Sequence, residues 1–345
     1  MLYATTRSKV ATYTAQRALK EDRAPDGGLY IPTKLPVYNR EELAELLKQP
    51  AGEIVARILN DFFNTRLGRL DVEFALGKRF FGMATISHRI VIGELWRGRE
   101  GGFEDLCCRL TGCVSAEAGV RTPGTWMRIV CRIALIFAMF ARLRTGGILA
   151  SGELLDTAVL TGQFEGPYAL WAARRMGLPI GEIICCCNEN SGIWDLINRG
   201  QMKLNAKTVT TITPDCDTVV PEALELLIHE RLEWDDVEEF LDTRKRGGTY
   251  FLGPEEHRHF REGITAAVVS DKRVLLAIPN LYRTNGYLLC PYSALVYVGL
   301  MDYRSRPGPR RATLMLSEYD PRKNAAAVER ALAISDQELR DWCQR

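Results

Sequence analysis

The side chains best suited to chemistry are concentrated in a few short stretches. His257 and His259 flank Arg258 beside Glu255 and Glu256, a set that contains metal-ligating types. An i, i+2 spacing on a helix puts the two imidazoles on different faces, so the segment reads as solvated surface rather than a metal centre. Cysteines run together as Cys107-Cys108 and Cys185-Cys186-Cys187. Neighbours along one strand or helix point apart and cannot form a regular disulfide framework, and no C-x-x-C pair occurs. The cysteines therefore read as reduced thiols, and the triple run as strand packing. The arginine-rich stretch Arg304 to Arg311, held extended by Pro307 and Pro309, reads as a solvated connection. Thr161-Gly162-Gln163-Phe164-Glu165-Gly166 differs from these: its glycines permit a tight turn, and the helix from Gly166 offers backbone amides to an anion.

The elements that must position these residues follow from pattern. A turn at Pro25-Asp26-Gly27-Gly28 leads to a short strand at Leu29-Tyr30-Ile31, and Leu2 to Thr6 is extended. Asn39 caps a helix from Arg40 to Leu47, and a second helix runs from about Glu53 to Phe63. From Ile90 onward, short β-branched runs alternate with helices: Ile90–Ile92, Ala158–Leu160, Ile183–Cys185, Val209–Ile212 and Thr313–Leu316. Such a pattern predicts a buried, mostly parallel sheet in an α/β layered core. The intervening helices are Trp126 to Leu143, Gly166 to Met176, Ile193 to Arg199, Pro221 to Arg231 and Asn324 to Ala333.

Composition narrows the partners. The 345 residues carry 45 basic and 43 acidic side chains, a formal charge of +2, with no long block of one sign. That excludes the electrostatic footprint of a nucleic-acid binder. The most apolar stretch, Ile133 to Ala141, is flanked by arginines and is far shorter than the ~20 residues of a membrane span, so no membrane is expected. Met1 to Lys9 lacks a charged-then-apolar leader, and the cytoplasm is the expected compartment.

Longer motifs carry a family resemblance. Tyr3-Ala4-Thr5-Thr6-Arg7 followed by Ala24 through Pro32 resembles the start of the threonine synthases, fold type II pyridoxal-phosphate enzymes. Thr161 through Gly166 resembles the family's S/T-G-N-F-G loop, Met176-Gly177-Leu178-Pro179 its M-G-L-P turn, and Asn188-Glu189-Asn190 its N-E-N-D segment. Gly286 through Ala294 resembles G-Y-x-x-D-P-H-T-A, and Glu318 through Val328 resembles T-A-H-P-A-K-F-P-E-A-V. The resemblance implies a threonine synthase-like, tryptophan synthase β-like large domain with a mainly parallel sheet, preceded by a helical N-terminal unit.

The same resemblance sets the chemical expectations. The family lysine that binds the cofactor lies in E-L-W-H-G-P-T-x-A-F-K-D, which aligns without insertion with Glu94 through Asp105 and puts Glu104 at the lysine. A carboxylate cannot condense with an aldehyde to an imine. Glu165 stands for the second glycine of the phosphate loop, an anion beside a dianion, and Glu318 for the threonine that partners the pyridine nitrogen. Cys290, Tyr292 and Ser293 replace the aspartate, histidine and threonine of D-P-H-T-A. Between the lysine motif and Thr125-Trp126-Met127-Arg128 the family has a small domain; here only Leu106 to Gly124 remain, far fewer than the roughly 50 residues a domain needs.

These readings give residues 1–89 as the N-terminal unit and 90–345 as the large α/β domain, with the small domain deleted and a shortened insert at 106–124. The expected function is that of a non-catalytic threonine synthase homologue, a pseudoenzyme, with no catalytic residue, no cofactor and no metal. Its vestigial pocket is expected to comprise Arg97, Arg99, Glu104, Thr161, Gly162, Gln163, Phe164, Glu165, Gly166 and Glu318, with Glu104 paired to Arg97, Arg99 or Arg109. The arginines favour a small anionic ligand such as a carboxylate or phosphate, and a homo-oligomer or an intact paralogue is the expected protein partner. The alternatives are a pyridoxal-phosphate-dependent threonine synthase-like lyase, and a lysine-independent enzyme using Glu104 or Cys290.

Overall fold

The structure, a computed structural model, describes residues 1–87, 89–97, 102–115 and 122–332. The N-terminal unit opens with β1 (Leu2–Thr5), β2 (Ser8–Thr14), α1 (Ala15–Lys20) and β3 (Tyr30–Pro32), β1 lying antiparallel between β2 and β3. It continues into α2 (Arg40–Leu46), α3 (Ala51–Phe63) and α4 (Arg69–Leu76). The Asn39 side chain accepts from the amides of Glu41 and Glu42 while Glu42 reaches back to the Asn39 amide, a reciprocal cap that fixes where α2 starts. Buried Ile54, Val55, Ile58, Leu59 and Phe62 form one stripe of α3 at helical spacing. The Tyr3 hydroxyl ties β1 to that helix, donating to Phe62 O at 3.0 Å and accepting from Trp126 Nε1 at 2.9 Å.

The central sheet is built from β4 (Gly82–Ser87), β5 (Ile90–Glu94), β6 (Leu155–Leu160), β7 (Ile180–Cys187), β10 (Ile264–Val268) and β11 (Ala312–Ser317) in the order β10-β7-β6-β11-β5-β4. All neighbours are parallel except β4 against β5. Layers of helices bury it: α5 (Phe103–Val114), α6 (Thr125–Thr145), α7 (Glu165–Arg175) and α8 (Gly192–Arg199), then α12 (Asp271–Asn285), α13 (Pro291–Ser305) and α14 (Ala325–Leu332). Between α8 and β10 lie α9 (Leu224–Arg231), α10 (Trp234–Arg246) and α11 (Pro254–Phe260), with the short pair β8 (Gln201–Lys203) and β9 (Thr249–Phe251). Ile133 to Ala141, the most apolar stretch, is buried within α6. Among the described residues no helix is long and apolar enough to cross a membrane.

In the central sheet one expected strand is absent, and two, β4 and β10, lie outside the expected runs. Val209 to Ile212 is β-branched yet forms no ladder. Its polar groups are taken by side chains instead: Asn190 brackets Val209, Asn188 Nδ2 donates to Thr211 Oγ1 at 3.0 Å, and Asp217 accepts from both the amide and the hydroxyl of Thr211. The place beside β7 goes to β10, whose alanine-rich Ile264-Thr265-Ala266-Ala267-Val268 carries a weaker strand signal.

Candidate functional site

Three parallel strands deliver the site at their C-terminal ends, the place where open α/β sheets bind ligands. The turn after β6 is Thr161 to Phe164. Gly162 and Phe164 both have left-handed backbone, with φ of 41° and 70°. For Phe164 that conformation costs about 1 kcal/mol or more, offset by complete burial of its ring in the core. Gly166 then lets α7 sit close to β6: a Cβ there would meet Val159 Cγ2 at 2.7 Å. Glu318 follows β11 directly, and its carbonyl accepts from the Phe103 amide, which brings the first turn of α5, and with it Glu104, to the same edge.

A cavity of about 220 Å³ lies between these ends. It brings together Glu104, Thr161, Gly162, Gln163, Glu165, Gly166 and Glu318. It also takes in Arg128 and Arg132 from α6, and Asp215, Cys216 and Tyr319. Arg128 and Arg132 are one helical turn apart in the N-terminal part of α6, a spacing that puts both cations on one face.

Arg132 sits at the centre of the charge network. Its Nε and second terminal nitrogen make a bidentate pair with the two Glu318 oxygens, both at 2.8 Å, and its other terminal nitrogen donates to Glu165 Oε2 at 2.6 Å. Its guanidinium also lies 4.0 Å from the Phe103 ring centroid. Arg128 Nε donates to Glu165 Oε1 at 2.8 Å, and its remaining donors reach Pro123 O and Thr125 Oγ1. Burial works against the Arg132 charge, but Glu318 and Glu165 overcome it and hold the guanidinium protonated well above its ordinary range. Glu104 stands exposed at the rim and has no hydrogen-bond or ion-pair partner among the described residues. Lost solvation raises its pKa, Glu165 and Glu318 add to that, and Arg128 and Arg132 oppose it.

Several expected placements differ. Arg97 is not in this cavity: it pairs with buried Glu94 at 2.7 Å, whose other oxygen accepts from Tyr287. Arg109 pairs with Asp105 within α5. Arg99 lies outside the described residues. Arg97 and Arg109 are therefore engaged by carboxylates nearer to them in sequence than Glu104 or on their own helix, which local helical and turn geometry favours. Phe164 faces the core rather than the cavity. Cys290 is fully buried and serves as the cap of α13, its Sγ accepting from the Ser293 amide at 3.4 Å; burial pushes its thiol up, and it does not line the cavity. His257 contacts Ile197 O, and no group of His, Cys, Asp or Glu suited to a metal occurs among the described residues.

Residues 2–76, the strands and helices that pack against α6, match the family described as threonine synthase N terminus. The chain is similar to the threonine synthases. The human protein named threonine synthase-like 1 is 24% identical over 316 residues, covering 84% of this chain, and this chain spans only 42% of that relative's length. Threonine synthase of Pseudomonas aeruginosa is 22% identical over 438 aligned positions, with 96% of this chain and 90% of the relative covered. Those positions outnumber the residues of this chain, so the Pseudomonas protein has stretches with no counterpart here. The solved threonine synthase of Brucella melitensis, a pyridoxal-phosphate-bound structure, superimposes with a TM-score of 0.84 at 18% identity, over 100% of this chain and 95% of that one. The fold is that of the threonine synthases.

Proposed function

We propose that this threonine synthase-like chain is a non-catalytic homologue that does not hold pyridoxal phosphate and has turned the cofactor seat into an internal ion network. The observation that carries the reading is Arg132, clamped between Glu318 and Glu165 where the resemblance puts the pyridine-nitrogen partner and the phosphate loop.

The cavity residues do not fit the cofactor. Among the described residues no lysine lines the cavity, and Glu104 stands at the lysine position of the resemblance. Lys323 comes against Gly102, where an added Cβ would stand 3.2 Å from its Nζ, but it faces the backbone rather than the cavity. Among the described lining residues Glu104, Glu165, Asp215 and Glu318 place four carboxylates against two guanidiniums. Such an excess repels a phosphate dianion, and the guanidinium donors are directed at Glu165, Glu318 and backbone oxygen already. For the same reason the small anionic ligand expected from the arginines gives way to a polar ligand bearing an amine, which Glu104 and Asp215 would receive.

The test is titration with pyridoxal phosphate, followed by visible absorbance and by borohydride reduction and peptide mapping. Wild-type protein is expected to give no imine band and no reduced adduct. A cofactor adduct on any lysine of the wild-type chain would sink the reading.

A further inference from the structure

A second feature lies on the opposite side of α6, away from the cavity just described. Three adjoining depressions run along the C-terminal part of α6. The first, about 570 Å³, has Tyr38 and Leu43 in its wall and carries Arg40, Lys48 and Arg144. Leu47 and Thr145 pass from it into the second, about 240 Å³, which carries Lys78, Arg79 and Arg142 over a floor that includes Ile54 and Phe80. Arg79, Phe81 and Arg142 in turn border the third, about 540 Å³, which adds Arg97.

The charge along this groove is one-sided. Among the described residues seven cations line it, of which Lys48 pairs with Glu45 outside the lining, and the single lining carboxylate is Glu94, which is 2% exposed and already held by Arg97 and Tyr287. Arg79 and Arg142 are exposed and pair with no carboxylate among the described residues, and Arg142 lies over the Phe81 ring at 5.7 Å from its centroid. In a chain whose formal charge is only +2, this concentration is offset by acidic side chains elsewhere. The whole molecule therefore lacks the field that draws a long polyanion, while the groove has strong local potential.

We propose that the groove docks an extended acidic peptide segment of a partner protein, with apolar side chains interleaved among its carboxylates. Charge complementarity fixes the sign of the partner. The apolar floor favours a peptide over a nucleic acid: Phe80, Phe81 and Tyr38 are buried and leave no open ring face on which a base would stack. The succession of three depressions suits a run of side chains better than one small anion.

Fluorescence anisotropy on the full chain tests this with labelled octapeptides alternating Glu with Leu, Glu with Ser, and Lys with Leu, and with a single-stranded oligothymidylate. The Glu–Leu peptide is expected to bind saturably and most tightly, to weaken as salt is raised, and to lose about tenfold or more in affinity in the Arg79→Glu, Arg142→Glu double variant. Should charge reversal lower the melting temperature, Arg79→Gln with Arg142→Gln carries the comparison. Absence of saturable binding by either acidic peptide overturns the proposal, as does unchanged affinity in a folded variant or tighter binding of the oligothymidylate. None of these outcomes depends on whether the cavity at Glu104 holds a cofactor.

Discussion

At the scale of residues, the candidate site turns on the arithmetic of buried charge. Arg132 has 10% of its side chain exposed and neutralises two carboxylates that are almost as buried. Removing it strands Glu318, because Glu165 retains Arg128 while Glu318 has no other cation in hydrogen-bond reach among the described residues. Arg132→Met is therefore expected to destabilise by about 3–5 kcal/mol, read as a lower denaturant midpoint with unchanged slope. Adding Glu318→Gln is expected to restore most of that loss, since Glu165 keeps Arg128 and no unpaired buried ion is left. Equal midpoints for parent and single variant would show that the network contributes nothing. The resemblance puts Glu104 at the family lysine because the flanking Glu94-Leu95-Trp96 and Phe103-Glu104-Asp105 residues set its register. Arg128 and Arg132 were not assigned to the site because nothing local distinguishes an arginine aimed into a cavity from one flanking a buried helix.

Elements place those residues, and the N-terminal unit is held in place by a polar pin as well as by apolar packing. Glu225 on α9 is 1% exposed; it receives the Thr6 hydroxyl and, through both oxygens, the Arg7 guanidinium at 3.0 and 2.9 Å. Glu225→Ala is expected to cost about 2–4 kcal/mol, since it breaks buried charge-assisted bonds at once, and to speed tryptic cleavage after Arg7. A variant with the parent's midpoint and cleavage rate would mean that Tyr3 and the β1 ladder suffice. Strong local signals were readable: the Asn39 cap, the apolar stripe of α3 and the β-branched runs of β5, β6 and β11. Val209 to Ile212 misled because side-chain amides and a carboxylate outcompeted a ladder for its backbone, a competition set by residues distant in sequence.

At the scale of the whole molecule, the described cysteines sit as separate and mostly buried thiols. Of the nine described cysteines, seven are buried and only Cys108 and Cys113 are partly exposed, with no disulfide among them. Burial also pushes the thiols of Cys185, Cys186 and Cys187 up, away from the reactive thiolate. Titration with an aromatic disulfide reagent is expected to consume Cys108 and Cys113 in the native state and the buried seven only in guanidinium. Rapid native reaction of all ten thiols in the chain would refute that burial. At this scale, too, a nearly neutral chain proves to have one strongly cationic face, which composition averages away.

Sequence alone determined the layered α/β class, the mainly parallel sheet and the identity of the residue at 104, because period, capping and ordered motifs are local and survive without coordinates. Tertiary structure alone decided which charges meet. Arg132 finds Glu318 across 186 residues and Arg97 stays with Glu94 three residues away, since the pairing of long side chains depends on helix rotation and strand register that no local pattern encodes. The same holds for the groove beside α6, whose cations come from segments far apart in the chain and share a face only after α2, α3 and β4 have packed around it.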